Sequence, residues 1–221
     1  VVAFTDDWEA DAARRDFTMN AMSLEPDGRI HDPFGGVEDL RAGRVRFVGD
    51  PRQRITEDVL RLLRYFRFQA HYGKPPPDSE SLAACREMAH LLPRLSAERV
   101  RTELLKLLAA PDPAPVVRLM RDECILDHFL ARATEIDRLD RLVAIETRLS
   151  LDDPLRRLAA LLRVDAEGAR HLAQGLRLSN RERDRLVAIV DVALRPSPEM
   201  DDAARRRALY RVGAETWRDL V

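Results

Sequence analysis

The chain of 221 residues is long enough for one large domain or two small ones with a hydrophobic core. Apolar residues make up 45% and charged residues 34%, which fits a soluble, largely helical globular protein, and no apolar run of about 18 residues suggests a membrane span. The net charge of -1 conceals a preference for arginine, which suits phosphate and carboxylate recognition and also rises with genomic GC content.

The only strand-like sequences lie in residues 1–48. They are VVAF at residues 1–4, two extended pieces around the turn at Asp27 and Gly28, and RVRFVG at residues 44–49. Residues 9–22 are compatible with helix. These pieces are too few for an independent α/β domain, and both chain ends look cut, so we expect further strands before Val1.

After Asp50 the chain is expected to be helical. The stretch PRQRITEDVLRLLRYFRFQAHYG has apolar residues at helical spacing, with Thr56 as a start signal before Glu57 and with Gly73 and three prolines at its end. Eight further helical patterns follow. Among them, Ser96 is a predicted N-cap, and the sequence Asp152-Asp153-Pro154 predicts a helix start. The predicted fold is mainly α, with a remnant of an α+β domain followed by an all-helical part.

Two cysteines, Cys85 and Cys124, occur without a CxxC pair. We interpret them as buried thiols in a reducing cytosol, and not as a disulfide or a zinc site. This interpretation predicts a cytoplasmic protein.

An acidic pair precedes three arginines in the helical stretch. Glu57 and Asp58 are expected to open the helix, where Arg61 lies within reach of both carboxylates. A fixed arginine beside an aspartate can pair with the edge of a nucleobase, and Arg64 and Arg67 can reach towards a triphosphate. The alternative is an exposed helix with ordinary salt bridges, each contributing roughly 0.2–1 kcal/mol.

The segment RRDFTMNAM, residues 14–22, is ambiguous in the same way. Arg15 can contact phosphate, Asp16 can accept from a sugar hydroxyl or orient an arginine, and Asn20 can hold the turn. Alternatively, an Arg–Asp pair merely ties a helix to a sheet. The following Gly35–Gly36 predicts a positive-φ turn or a hinge.

Together, RRDFTxNA, DPxGGxxDL and EDxLRxLRxxRF closely resemble the class II tRNA nucleotidyltransferase and bacterial poly(A) polymerase family. The resemblance is dense from Asp11 to Phe68. It implies a nucleotidyltransferase head at 1–48, a neck at 49–110 and an RNA-binding body at 111–221, with residues 32–40 as a flexible linker and residues 96–108 as a supporting neck helix.

The resemblance also implies the site. The implied ribose and nucleotide-pocket residues are Arg14, Arg15, Asp16 and Asn20. Asp58 and Arg61 would read the base of CTP or ATP, Glu57 would steady Arg61, and Arg64 and Arg67 would contact the nucleotide. The family's Gly-Ser and Asp-x-Asp elements, which bind Mg²⁺, do not occur in the sequence. The catalytic and metal-binding residues are therefore expected outside this chain, which alone should be inactive.

The implied reaction is the addition of C, C and A to the 3′ end of tRNA without a nucleic-acid template. The same motifs fit a poly(A) polymerase or an A-adding enzyme, and a non-catalytic RNA-binding module is a further alternative. The partners implied are tRNA, CTP and ATP, with no membrane, and the oligomeric state stays open. Candidate tRNA contacts in the body, which are equally compatible with a solvated surface, are Arg156, Arg157, Arg205, Arg206 and Arg207.

Overall fold

The computed structural model describes residues 7–191, 196–197 and 199–220, so the predicted strand at residues 1–4 lies outside the described part. The chain divides into two units. Unit 1 contains Val1–Leu95 and Ala110–Phe129, and unit 2 contains Ser96–Ala109 and Leu130–Val221. The division into a head at 1–48, a neck at 49–110 and a body at 111–221, which the family resemblance implies, stays a prediction.

Helices dominate the described residues, which confirms the predicted mainly α fold. Unit 1 contains the helices α1 (Trp8–Ala12), α2 (Gly36–Ala42), α3 (Pro51–Glu57), α4 (Leu60–Tyr72), α5 (Ser79–Met88) and α7 (Ala114–Asp122). Unit 2 contains α6 (Ala97–Leu108), α8 (Ile136–Leu149), α9 (Pro154–Leu161), α10 (Ala166–Gly175), α11 (Asn180–Val190) and α12 (Asp202–Leu220). Short 3-10 helices cover Thr18–Asn20, Ala89–Arg94 and Leu126–His128. No helix among the described residues has the length and apolar character needed to cross a bilayer.

The sheet in unit 1 is a single hairpin. Strands β1 (Ser23–Leu24) and β2 (Ile30–His31) pair antiparallel, and Gly28 adopts a φ of 87° in the turn between them. This arrangement confirms the two predicted extended pieces. The prediction of a strand over residues 44–49 was wrong, because this segment makes only one isolated antiparallel bridge, between Phe47 and Phe17.

The bridge nevertheless fixes the RRDFT segment. The amide of Thr18 donates to the carbonyl of Arg46, and the amide of Val48 donates to the carbonyl of Asp16, both at 3.0 Å. The Phe17 and Phe47 rings pack in a tilted arrangement with centroids 4.9 Å apart, and both side chains are fully buried. Backbone pairing and aromatic packing thus hold residues 16–18 against the core of unit 1.

The predicted long helix is two helices, so the expectation that Glu57 and Asp58 open it was wrong. Glu57 ends α3, and Asp58 adopts an extended conformation with φ -150° and ψ 106°. Its side chain then accepts a hydrogen bond from the amide of Leu60, at 3.0 Å, in the first turn of α4. Aspartate favours such capping positions over helix interiors because its carboxylate competes for backbone amides. Asp58 therefore separates the helices instead of opening one.

A buried carboxylate organises the turn that precedes α2. Gly35 has a φ of 75°, which confirms the predicted positive-φ turn. A Cβ atom on Gly36 would lie 2.2 Å from the carbonyl oxygen of Thr18, so only glycine allows this close approach. Buried Asp39 accepts from the Thr18 hydroxyl at 2.7 Å and from Arg46 at 2.9 Å. Residues 32–40 thus form a capped helix start, and the flexibility of this segment stays a prediction.

The two cysteines differ in their surroundings. Cys85 is fully buried, and burial raises the pKa of its thiol well above the usual value. Cys124 is exposed, with a φ of 57° at the end of α7, so the prediction of a buried thiol was wrong at this position. The N-caps predicted at Ser96 and Asp153 are confirmed, since both side chains accept amide hydrogen bonds from the first turns of α6 and α9.

Unit 2 contains a charged network inside its helix packing. Arg157 is 2% exposed and Glu146 is 1% exposed. The Nε atom of Arg157 donates to Glu146 at 2.6 Å, and one Nη atom donates at 2.7 Å to the carbonyl of Leu108 in α6. Buried charges require such pairing, because desolvation of an unpaired ion costs several kcal/mol. The prediction that Arg157 contacts tRNA or lies on a solvated surface was wrong.

Arg156 and Arg185 extend this network to the last described helix. Both donate to Asp219 in α12, at 3.1 Å and 2.7 Å, and Arg185 also donates to Asp153 at 2.7 Å. Burial alone would raise the pKa of Asp153, but hydrogen bonds from the Arg156 amide and the Arg185 side chain lower it. Arg156 is therefore also engaged inside unit 2, whereas residues 205–207 are exposed and stay candidate RNA contacts.

Replacing Arg157 with alanine should strongly destabilise unit 2, because it leaves the Glu146 carboxylate buried with a weaker set of partners. We expect a loss of about 3–5 kcal/mol in the free energy of unfolding, measured by urea denaturation followed by circular dichroism. The control Arg148→Ala removes an exposed arginine at the end of α8 and should change stability by less than about 0.5 kcal/mol. Equal losses in the two variants would contradict the importance of the buried pair.

Candidate nucleotide-binding site

Asp16 connects the RRDFT segment to α4. Asp16 is 8% exposed, and its carboxylate accepts three hydrogen bonds and makes one further ion-pair contact. The amide of Phe17 and the Nδ2 atom of Asn20 donate to Oδ1 at 3.0 Å, and the Nε atom of Arg64 donates to Oδ2 at 2.6 Å. The Nη2 atom of Arg64 also lies 2.5 Å from Oδ2. The protein itself therefore occupies most of the accepting capacity of Asp16.

Arg61 lies in the first turn of α4, and three contacts fix its guanidinium. The Nη1 atom donates to Glu57 at 2.5 Å and to the carbonyl of Arg54 at 3.0 Å, and the Nη2 atom donates to the carbonyl of Arg14 at 3.3 Å. Since guanidinium has five N–H groups, the Nε hydrogen and one Nη2 hydrogen remain for a ligand. Arg61 thereby joins the end of α3, the start of α4 and the RRDFT segment.

Glu57 supports this arrangement from the last turn of α3. The hydrogen bond from Arg61 lowers the pKa of Glu57, and the nearby charge of Arg54, 3.0 Å away, contributes in the same direction. Glu57 is therefore ionised at neutral pH. Asp58, the next residue, is held in its extended conformation by the hydrogen bond to the Leu60 amide.

Arg14 and Arg15 share one exposed acid that the sequence analysis did not select. Asp11 accepts from Arg14 at 2.9 Å through one oxygen and from Arg15 at 2.8 Å through the other. These bonds, first that from Arg15, lower the pKa of Asp11. Both arginine side chains are about half exposed, so they face solvent next to the Asp16 connection.

Arg64 and Arg67 both contact the ring of Phe68. Their guanidinium carbons lie 5.6 Å and 4.4 Å from its centroid. The Phe68 ring also packs against the ring of Phe17, with 5.0 Å between the centroids. Stacking on an aromatic face suits a guanidinium that also binds phosphate, since it restricts the side chain without neutralising its charge. Arg64, however, uses its N–H groups for Asp16.

The structure thus brings together all nine predicted site residues within unit 1, at the meeting of the RRDFT segment with α3 and α4. The sequence analysis missed the residues that orient them: Asp11, Arg54 and Phe68. Asp11 and Arg54 could have been suspected from helical spacing, at i−4 to Arg15 and i−3 to Glu57. Phe68 ends the EDxLRxLRxxRF motif, but the motif gave no indication that its ring contacts Arg64 and Arg67.

The described residues do not fit the magnesium ions that the resemblance implies. Among residues 7–191, 196–197 and 199–220, no three His, Cys, Asp or Glu side chains are placed to hold a metal ion. The site instead offers guanidinium donors beside carboxylates. This chemistry suits a nucleobase edge, sugar hydroxyls and phosphate oxygens.

Family models match two segments of the chain. Residues 1–46 match the poly A polymerase head domain, and residues 77–136 match a probable RNA- and SrmB-binding site of polymerase A. The first match contains the RRDFT segment, and the second begins shortly after α4. A nucleotidyltransferase head followed by an RNA-binding helical part is therefore the class of protein that the fold and the site define.

Individual relatives agree with this class. The chain is 38% identical over 186 residues to the mitochondrial CCA tRNA nucleotidyltransferase 1 of Danio rerio, covering 83% of this chain and 43% of the relative. It is 38% identical over 161 residues to a CCA-adding enzyme of Streptococcus pneumoniae, covering 73% of this chain and 40% of the relative. The crystal structure of the Bacillus stearothermophilus CCA-adding enzyme with CTP superposes with a TM-score of 0.82 at 30% identity, covering 99% of this chain and 54% of that one.

The chain belongs to the tRNA nucleotidyltransferase and poly(A) polymerase family, as a fragment related to CCA-adding enzymes. It spans about half the length of the relatives that it matches.

Replacing Asp16 with asparagine should loosen the site and lower the stability of unit 1. The amide has one accepting oxygen instead of two, and Arg64 loses its ionic partner, so we expect a loss of about 1.5–3 kcal/mol in the free energy of unfolding. Urea denaturation measures this loss. Asp27→Asn, which alters an exposed carboxylate paired with Arg29 in the hairpin turn, is the matched control and should be nearly neutral. A neutral Asp16→Asn variant would refute the connecting role of Asp16.

Proposed function

We propose that the protein to which this chain belongs adds C and A to the 3′ end of tRNA from CTP and ATP, without a nucleic-acid template. The observation that carries the proposal is a pair of hydrogen bonds, from Arg61 to the Arg14 carbonyl and from Arg64 to Asp16. It gives the two predicted nucleotide-binding motifs a common surface. The relatives named as CCA-adding enzymes support the same reaction.

The base-reading role belongs to Asp58 and Arg61. Arg61 has two N–H groups left after its bonds to the protein, and an aspartate next to them adds acceptors, so the pair can complement a nucleobase edge. Glu57 steadies Arg61 through the 2.5 Å hydrogen bond. The CTP complex of the structurally similar Bacillus stearothermophilus enzyme supports a nucleotide as the ligand.

The sugar and phosphate roles are divided among the remaining residues. Asp16 is nearly buried and most of its accepting capacity is used within the protein, so we assign it the positioning of Arg64 and Asn20 and not a direct bond to ribose. The Oδ1 atom of Asn20 has no hydrogen-bond partner among the described residues and can accept from a sugar hydroxyl. Arg14, Arg15 and Arg67 supply positive charge for the phosphates.

The catalytic Asp-x-Asp and its Mg²⁺ are assigned to a part of the protein outside these 221 residues, since the sequence contains no such element. A cytoplasmic location stays a prediction, and the Danio rerio relative is named as mitochondrial. A poly(A) polymerase or an A-adding enzyme is the enzymatic alternative, because the same motifs occur in both. Assaying the full-length protein with CTP alone, ATP alone and both on a trimmed tRNA separates these activities.

In the full-length protein, Arg61→Ala should impair the selection of CTP and ATP far more than tRNA binding. Loss of the two base-facing donors is expected to reduce discrimination against GTP and UTP by about 10–100-fold. Single-nucleotide incorporation measures this discrimination, and a filter-binding assay measures the tRNA affinity. The control Arg29→Ala removes an exposed arginine of the hairpin in the same unit. Equal loss of selection and tRNA binding would contradict the base-reading role.

The purified 221-residue chain should not incorporate labelled CTP or ATP into tRNA lacking its terminal CCA, because it has no Asp-x-Asp element. The Bacillus stearothermophilus enzyme, assayed in parallel, serves as the positive control. Clear incorporation by the chain would refute the assignment of the metal site to another part of the protein. An inactive full-length protein that still binds tRNA would instead favour a non-catalytic RNA-binding module.

A further inference from the structure

A polar cleft lies between α10 and α11 in unit 2. Its volume is about 620 Å³, and its polar lining residues are Arg170, Gln174, Arg177, Asn180, Arg183 and Asp184. Three of these side chains are cationic and one is anionic, so the cleft has an excess of positive charge. It lies outside residues 1–46 and 77–136, which the family models match.

Two of the arginines in this cleft are not neutralised. Arg183 is bonded to Asp184, at 2.8 Å and 2.9 Å, and to Asn180 at 3.1 Å. Arg170 and Arg177 are exposed and have no carboxylate partner among residues 7–191, 196–197 and 199–220. An unneutralised arginine pair in a concave polar site favours an anionic ligand.

The backbone at Arg177 provides an independent observation. Helix α10 ends in a Schellman motif, in which the amide of Leu178 donates to the carbonyl of Ala173 at 2.9 Å and that of Arg177 donates to Gln174 at 3.1 Å. The residue after the C-cap of this motif is usually glycine, because it adopts a left-handed conformation. Here Arg177 occupies the position with a φ of 53°. A side chain is thus retained where glycine would be less strained.

The same residue is held from α6. The guanidinium of Arg101 donates a hydrogen bond to the carbonyl of Arg177. This bond fixes the strained backbone and brings a further positive charge to the rim of the cleft. The backbone position of Arg177 is therefore fixed by the fold.

We propose that the cleft between α10 and α11 binds a backbone phosphate of RNA through Arg170 and Arg177. This inference rests on the proposed function, since it places a tRNA contact of unit 2 at these two arginines instead of Arg156 and Arg157, which are engaged inside the unit. Asn180 and Gln174 supply further donors for phosphate oxygens and for the ribose 2′-hydroxyl.

Fluorescence anisotropy with labelled tRNA lacking its CCA end, over a range of salt concentrations, tests the proposal on the full 221-residue chain. Arg170→Gln/Arg177→Gln should weaken binding about tenfold for each arginine. The slope of log K against log salt should fall by about 2. The control Arg148→Gln/Arg163→Gln makes the same charge change at exposed arginines of unit 2 and should keep the affinity and slope of the unmodified chain. Equal effects of both double variants would overturn the proposal.

A second variant separates binding from structure. Arg177→Gly relieves the left-handed conformation, so the midpoint of thermal unfolding should rise while the tRNA affinity falls. Loss of both would assign Arg177 a structural role and overturn the proposal.

Competition measurements with two further ligands identify the chemical class that the cleft binds. Inorganic phosphate and CTP should compete only weakly with tRNA. If CTP displaced tRNA as effectively as unlabelled tRNA from an Arg61→Ala variant, in which the proposed base-reading site is disabled, the cleft would be a mononucleotide site and the RNA proposal would be overturned. Normal tRNA binding by the Arg170→Gln/Arg177→Gln variant would overturn this inference alone. Failure of the full-length protein to bind tRNA would contradict the proposed tRNA partner as well.

Discussion

The carboxylate of Asp16 is the interaction on which the candidate site depends. It accepts two hydrogen bonds from its own segment and one from Arg64 of α4, with which it also forms an ion pair, so it joins elements 48 residues apart in the chain. Its burial makes this connection strong, because few water molecules compete for the oxygens. Without it, Arg64 would have no ionic partner at this position, and the contact of Arg61 with the Arg14 carbonyl would lose its support.

The other arginines of the site are arranged on the same principle. Each guanidinium is restricted by an acid, a carbonyl or an aromatic ring, as Arg61 is by Glu57 and Arg67 by Phe68. A long side chain loses about 2 kcal/mol of rotamer entropy when a ligand immobilises it. Contacts that restrict the side chain beforehand reduce this loss on binding, and they leave the charge available. Preorganised cations of this kind suit recognition of a polyanionic ligand such as a nucleotide.

Sequence reasoning predicted the mainly α fold and the capped helix starts, because short-range spacing and capping chemistry determine them. The motif order was enough to identify the family. Sequence reasoning failed at Asp58, where the helical periodicity continues across a residue at which one helix ends and the next begins. It also failed at Arg157, since burial of a charged side chain depends on partners in distant helices, here Glu146 and the Leu108 carbonyl. Pairing over such distances leaves no local pattern.

The burial of Asp219 has a practical consequence for work on shortened versions of this protein. Its side chain, 1% exposed, accepts from Arg156 and Arg185, so the second part of α12, beyond Gly213, is connected to the helices of unit 2 through this carboxylate. A polypeptide that stops before residue 219 would leave these two cations with fewer acceptors inside the packed helices. Deletion mapping of RNA binding from this end would then report misfolding as loss of affinity, whereas point substitutions on the surface avoid that ambiguity.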